Sequence, residues 1–287
     1  MASGKRDGRR ACGGRVRLIG LGDLHCGSHG GLTPPGWQVS HSRYPLAHAL
    51  QQESWEKYDG LVRLRGAGRP EGFKLVVVCN GDALDGPKNP GECVTPDRFE
   101  QCRMAAECLS MWGADEYYFT FGTPFHTGKE EPWEKILARS GCDQAGSDKE
   151  MESWPGGDIA PTQFIDIGGK IFFFRHKVGR GSVPHTRHTA QSRAQLWNQI
   201  NKARGREPHA DVLCFSHTHY HAGAFGRDWL AMTLPALQTT SSFGARECDG
   251  EVDWGIAYFD IVDGQLMEWG ADILEIEEMR ARVHRVR

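Results

Sequence analysis

The order of its elements predicts an α/β (α+β) fold for this chain, a two-layer core of mixed sheets wrapped by helices. Three observations carry that expectation. Strand-like and helix-like segments alternate along the chain and then give way to β-rich sequence, the succession expected of sheets inside and helices outside. Leu75-Val76-Val77-Val78-Cys79 is unbroken apolar, as befits a strand buried on both faces. Gly168-Gly169, between Gln163–Ile167 and Lys170–Phe174, marks a two-residue β-hairpin turn.

Residues 1–15 are polar, glycine-rich and basic, the composition of a disordered tail. No linker divides residues 16–287, which read as a single domain. The first strand, Val16 to Leu21, stops at Gly22-Asp23-Leu24-His25. Gly27 to Pro45 is rich in Gly, Ser and Pro and reads as a loop; Leu46–Leu64 reads as a helix with Leu46, Leu50, Tyr58, Leu61 and Val62 along one stripe. The apolar strand at 75–79 ends in Asn80-Gly81-Asp82-Ala83-Leu84-Asp85. Thr95-Pro96 reads as N-cap and first residue of a helix, whose stripe of Phe99, Cys102, Ala106, Leu109 and Trp112 belongs to the core.

A third strand, Glu116–Phe121, ends in Gly122-Thr123-Pro124-Phe125-His126. Pro132 opens a short helix to Ala138, and 140–161 is a polar, irregular insertion. The second hairpin strand runs into Arg175-His176-Lys177, a helix is expected over Thr189–Lys202, and the strand Asp211–Phe215 leads into Ser216-His217-Thr218-His219. Strands at Gly255–Val262 and Leu266–Ile276 flank a turn at Asp263-Gly264.

At 287 residues the chain can bury a core large enough to stand without a disulfide or structural metal, so any metal would serve chemistry. A net charge of -3 exerts no global pull toward nucleic acid or membrane. No apolar stretch approaches the roughly 20 residues of a membrane span, which predicts a soluble protein with no membrane partner. The 9 cysteines form no Cys-x-x-Cys pair, no signal sequence opens the chain, and Cys79 and Cys214 lie in apolar strand runs. A reducing, cytoplasmic setting is expected.

Asp23, His25, Asp82, His176, His217 and His219 stand at the ends of predicted strands, and Thr123 and His126 follow another. His217 and His219 project to one face of an extended segment. Ligands collect beyond the carboxyl ends of strands in such sheets, so these groups are expected to converge in one crevice. A mixed nitrogen and oxygen set suits Zn, Fe or Mn better than Mg or Ca, and the absence of cysteine argues against a closed structural zinc site.

The pattern resembles the calcineurin-like metallophosphoesterases, whose five blocks run Asp-x-His, Gly-Asp-x-x-Asp, Gly-Asn-His-Asp/Glu, His and Gly-His-x-His. Here they read Asp23-Leu24-His25, Gly81-Asp82-Ala83-Leu84-Asp85, Gly122-Thr123-Pro124-Phe125-His126, His176 and Ser216-His217-Thr218-His219, in the same order, over residues 16 to about 220. The resemblance implies a four-layer α/β/β/α sandwich of two mixed sheets flanked by helices. It further implies two metal ions: the first on Asp23, His25 and His219, the second on His176 and His217, with Asp82 bridging and Asp85 bracing the Asp82 loop. The implied reaction is hydrolysis of a phosphoric ester by a metal-bridging hydroxide, with His126 as general acid. The third block departs from the family. Its asparagine ligand is missing, Thr123 stands nearest that position, and two residues are inserted before His126. A hydroxyl is a poorer ligand than an amide oxygen, so the second site is expected to be weaker or completed by water.

Between Lys170 and Arg206 there are nine Lys or Arg and no acid, and between Glu247 and Glu278 eleven acids and no Lys or Arg. Arg175, Lys177 and Arg180 flank His176 and, with Thr123, are the candidate substrate-binding residues. This placement points to a phosphodiester, a nucleotide or nucleic-acid end. A phosphomonoesterase acting on protein or small phosphates, and an inactive metal-binding scaffold, are the alternatives.

Overall fold

A computed structural model describes residues 14–87, 91, 93–128, 133–140, 156–179, 181, 183–239 and 252–277. In chain order its first strands are β1 (Arg15–Leu21), β2 (Lys74–Cys79), β3 (Glu116–Thr120), β4 (Asp158–Ala160) and β5 (Gln163–Ile167). Then come β6 (Lys170–Lys177), β7 (Val212–Ser216), β8 (Ala222–Phe225), β9 (Leu230–Thr233), β10 (Gly255–Val262) and β11 (Gln265–Ile273). The helices are α1 (Pro45–Leu61), α2 (Arg98–Ser110), the single turn α3 (Pro124–Thr127), α4 (Trp133–Ser140) and α5 (Thr189–Ala203).

The strands form two mixed sheets. One runs β11-β10-β1-β2-β3-β4, the other β5-β6-β7-β9-β8. In the first, β1 through β4 pair in parallel while β10 and β11 are antiparallel; in the second, β6, β7 and β9 are parallel and their outer neighbours antiparallel. Alternation along each strand then sorts the core. Leu75, Val77 and Cys79 face Tyr58 and Leu61 of α1, Cys102 and Leu109 of α2, and Trp112. Val76 and Val78 face Phe172, Phe174 and Cys214 of the second sheet. Phe173, Leu213 and Phe215, on the far side of that sheet, pack with Ala190 of α5. Helices, sheet, sheet and helix make four layers, as expected. Each fully buried Val, Leu or Phe contributes roughly 1.5–3 kcal/mol.

The apolar run at 75–79 is buried throughout, and the hairpin turns at Gly168-Gly169, where φ is 63° and 92°. Other expectations are corrected. Helix α2 starts at Arg98, with the Asp97 carboxylate accepting from the amides of Phe99 and Glu100. Thr95 instead accepts from the Asp97 amide, closing the turn ahead of the cap. The irregular stretch at 140–161 contains the edge strand β4, paired with β3, and β8, absent from the sequence reading, pairs with β9. Of the expected tail over residues 1–15, residues 1–13 lie outside the described residues, and Arg15 already pairs with Val262. Pro132 also lies outside them.

Among the described residues no helix is long and apolar enough to cross a membrane. The cysteines do not behave uniformly. Cys26, Cys79, Cys108 and Cys214 are free and buried, whereas Cys102 is disulfide-bonded.

Arg17 interrupts the apolar pattern of β1 because it pairs across the sheet with Asp260 of β10. Its Nε and Nη2 donate to the two carboxylate oxygens at 2.7 and 2.6 Å, and both side chains are buried. Breaking a buried pair leaves a bare charge. Asp260→Ala is expected to lower stability by about 3–5 kcal/mol in urea denaturation, and Arg17→Met with Asp260→Leu to recover most of it. A single variant losing under about 1 kcal/mol would show that the pair does not hold the sheet.

Candidate metal centre

The parallel register of β1 and β2, with Leu21 opposite Cys79, carries both strands into adjacent loops. The loops keep pairing beyond the sheet: the amides of Asp23, His25 and Cys26 donate to the carbonyls of Gly81, Asp82 and Ala83 at 3.2, 3.0 and 3.0 Å. His217 and His219 follow β7, and the His217 amide donates to Asp23 Oδ2 at 2.9 Å. His176 is reached differently. Arg175 pairs with Phe215 and Lys177 with Ser216, so His176 is the extra residue of a β-bulge and turns inward, buried, between two exposed neighbours.

The described residues contain six non-glycine residues at positive φ, and five of them are Asp23, His25, Asp82, His217 and His219, with φ between 46° and 73°. Left-handed backbone costs on the order of 1 kcal/mol per residue and persists where the surroundings enforce it, commonly at functional sites. The strain is therefore concentrated on the residues that the sequence singled out.

Two groups of donors result, each with ligand atoms within 4.8 Å of one another: Asp23, His25 and His219, and Asp82, His176 and His217. A third group, His25, Asp82 and His126, overlaps both. His219 Nε2 is 3.4 Å and His25 Nε2 3.9 Å from Asp23 Oδ1, and His176 Nε2 is 2.9 Å from Asp82 Oδ2. The His25 and His126 rings meet edge to face at 4.5 Å. Two of the outer nitrogens are already committed. His176 Nδ1 donates to the Asn80 carbonyl at 2.9 Å, His126 Nδ1 to the Asp85 carbonyl at 2.6 Å, and His25 Nδ1 stands 3.4 Å from Asp85 Oδ1. This arrangement leaves Nε2 of each ring facing the centre, as in histidine metal sites. Asp23 Oδ1 and His25 Nε2 are buried without a well-formed hydrogen bond. Buried, uncommitted donors of this mixed kind fit a transition metal.

The charges are mutually arranged. Burial alone would raise Asp23, but the neighbouring His219 and His176 bring it down to about 2. Burial also opposes ionisation of Asp82, and His176 overcomes it, holding Asp82 well below the usual carboxylate range. His176 rises to about 10 against its own desolvation because of Asp82. Burial and the charge of His176 push His217 down to about 4. Burial and His25 lower His126.

Several supporting residues escaped the sequence reading. Asn80 is a hub: its side chain donates to Ser216 Oγ at 2.8 Å and accepts from Thr120 Oγ1 at 2.8 Å, while its carbonyl fixes His176. It joins four strand ends and gives Ser216 a structural role. Glu134 of α4, fully buried, accepts from the Gly122 amide at 2.7 Å and the Ala83 amide at 3.3 Å. Burial, then the charge of Asp82, pushes its carboxyl up to about 8. The available signal was its place on the face of α4 that it shares with the buried Leu137 and Ala138.

Thr123 serves Asp82. Its amide donates to Asp82 Oδ1 at 2.7 Å and its hydroxyl lies 3.2 Å from both oxygens. The remaining candidate substrate residues do not gather at the centre as a group. Arg175 projects to the opposite face of β6 from His176, against Phe173 and Phe215. Lys177 is exposed, and its charge helps depress His217. Arg180 lies outside the described residues.

No family model matches the chain, and no curated protein matches it. Among solved structures it is similar to Vps29 of Chaetomium thermophilum, at 12% identity and TM-score 0.45 over 86% of this chain and 85% of that one. It is also similar to Vps29 of Entamoeba histolytica complexed with Zn²⁺, at 13% and 0.41 over 91% and 100%. A third likeness is to a novel archaeal phosphodiesterase, at 12% and 0.41 over 90% and 100%. Likenesses this distant leave the reading of the site to its own geometry.

Metal ligands must be deprotonated, and His176 is held protonated by Asp82 in the metal-free protein. Its raised value means that its contribution to stability is full below about pH 6.5 and is lost as pH rises through about 10. Loading Mn²⁺ or Zn²⁺ at pH 7.5 is expected to release about one proton from it. Calorimetric titration in two buffers of different ionisation enthalpy reads this directly, and a heat independent of buffer would remove His176 as a ligand.

Proposed function

We propose that the chain is a metal-dependent phosphoesterase, with a phosphodiester of the nucleotide or nucleic-acid class as substrate. The observation that carries the reading is the pair of donor groups, Asp23, His25 and His219 beside Asp82, His176 and His217. Five of the six stand on left-handed backbone just past strand ends, and His176 stands on the bulge of β6. When bound, a pair of ions there would acidify water and neutralise phosphoryl charge.

The chain's own residues supply the rest. Asp82 shares one donor group with His25 and His126 and another with His176 and His217, so it would serve both ions, and Thr123 orients it. Because Thr123 spends its hydroxyl on Asp82, the second ion would be held by Asp82, His176 and His217. His126, with Nδ1 tied to the Asp85 carbonyl, would act as the acid through Nε2 in its protonated form, which burial and His25 disfavour in the metal-free protein. Of the described cations assigned to the substrate, Lys177 is the one whose charge lowers His217. Beside the ions' own charge, a single flanking cation suits a diester, with one negative charge, better than a dianionic monoester.

The test is turnover of an activated aryl phosphodiester and its matching monoester by protein stripped with chelator and refilled with Mn²⁺, Zn²⁺ or Mg²⁺. Metal-restored diesterase activity is the expected result. A monoester preference would make the protein a phosphatase, and silence at full metal occupancy would make it a scaffold. His126→Ala is expected to keep the metal stoichiometry and lose about 10²- to 10⁴-fold in turnover on poor leaving groups. An equal loss on good and poor leaving groups would remove His126 as the acid, and loss of metal would make it a ligand instead.

A further inference from the structure

Helix α5 does not close fully onto the second sheet. A groove of about 280 Å³ remains between them, with Phe173, Leu213 and Phe215 as its floor and Arg175, Arg193 and Trp197 on its walls. It lies on the face of β6 opposite His176, and so is separate from the candidate metal centre. The Arg175 guanidinium rests over the rings of Phe173 and Phe215, 5.7 and 5.5 Å from their centroids, and gives its Nε to the Lys177 carbonyl at 3.1 Å. Arg193 reaches back over Gly179, where an added Cβ would stand 2.5 Å from its Nη2. Trp197 leaves 52% of its surface exposed.

Charge is unbalanced in this groove. Among the described residues neither guanidinium forms a salt bridge. The lining carries one acid, Glu207, whose Oε2 accepts from Asn201 at 2.7 Å. Burial lowers Arg175, with Glu207 opposing, so the cation is partly desolvated and still lacks a paired anion. Guanidinium forks match planar anions, and the half-exposed Trp197 indole beside them offers a face to a planar ring. The volume is at the small end for ligand sites, room for one or two rings.

We infer that this groove binds a small aromatic anion, a planar ring bearing one carboxylate, sulfonate or phosphate, with the anion on Arg175 and Arg193 and the ring against Trp197. The probe is 2-naphthoate, titrated by calorimetry into the full, chelator-treated chain, with neutral 2-naphthamide as its isostere. Naphthoate is expected to saturate one site, with naphthamide about tenfold weaker or more, the value of a charge-assisted hydrogen bond. Arg193→Gln and Trp197→Ala, both on the exposed face of α5, are each expected to weaken naphthoate about tenfold while keeping the parent's unfolding midpoint. Reloading Mn²⁺ is expected to leave the affinity unchanged. Absence of saturation, equal affinity for the amide, binding unaltered in both variants, or displacement by Mn²⁺ would each overturn the inference.

Discussion

Asp82 is a carboxylate almost wholly removed from water, and much of the surrounding structure exists to keep it there as an anion. A buried charge is tolerated only when paired and fully hydrogen-bonded. Three elements meet this need: the Thr123 amide at the start of α3, the Thr123 hydroxyl, and His176 from the bulge in β6. Gly122 must be glycine for the approach, because a Cβ there would stand 2.1 Å from Asp82 Oδ1. The Gly122 amide is in turn taken by Glu134. One carboxylate thus ties together the ends of β2, β3 and β6 and the helix α4.

The sandwich makes such a site possible by dividing labour along each strand. Strand middles are apolar on both faces and are consumed by the layers, so the polar residues that follow them are left at a common edge. Neighbours in parallel end on the same side, which brings β1 to β2 and β6 to β7. The left-handed residues then turn each side chain back toward the centre. Packing around them is dense, with Leu24, Cys26, Ala83 and Leu84 fully buried between the strained positions, and this density holds a backbone that a loose loop would relax.

The bulge at His176 separates two chemistries along three consecutive residues. His176 joins the buried donor group with Asp82 and His217, while Arg175 goes to an arginine-lined groove on the other face and Lys177 stays exposed. Residues adjacent in sequence are on opposite faces of a strand, and the cationic cluster that seems continuous in the sequence is divided in space. The divided cluster is why the anion-binding residues named from the sequence do not all attend one site.

The candidate ligands and the layers were legible in the sequence because both rest on short-range pattern. An apolar run followed by Asp or His reports a strand and its end, and five such blocks in order report a shared destination. The α2 cap was misread by two residues, since Thr95 and Asp97 are both capable oxygens and only the fold chooses between them. Residues acting through long-range partners were not legible: Arg17 needs Asp260, Glu134 needs two backbone amides, and Thr123 needs the Asp82 carboxylate. The sequence by itself determined which groups carry charge, which segments are apolar, and where strands end. The tertiary structure decided which face each group presents and which buried charges meet, because a bulge, a left-handed residue or a cross-sheet pair depends on contacts between segments far apart along the chain.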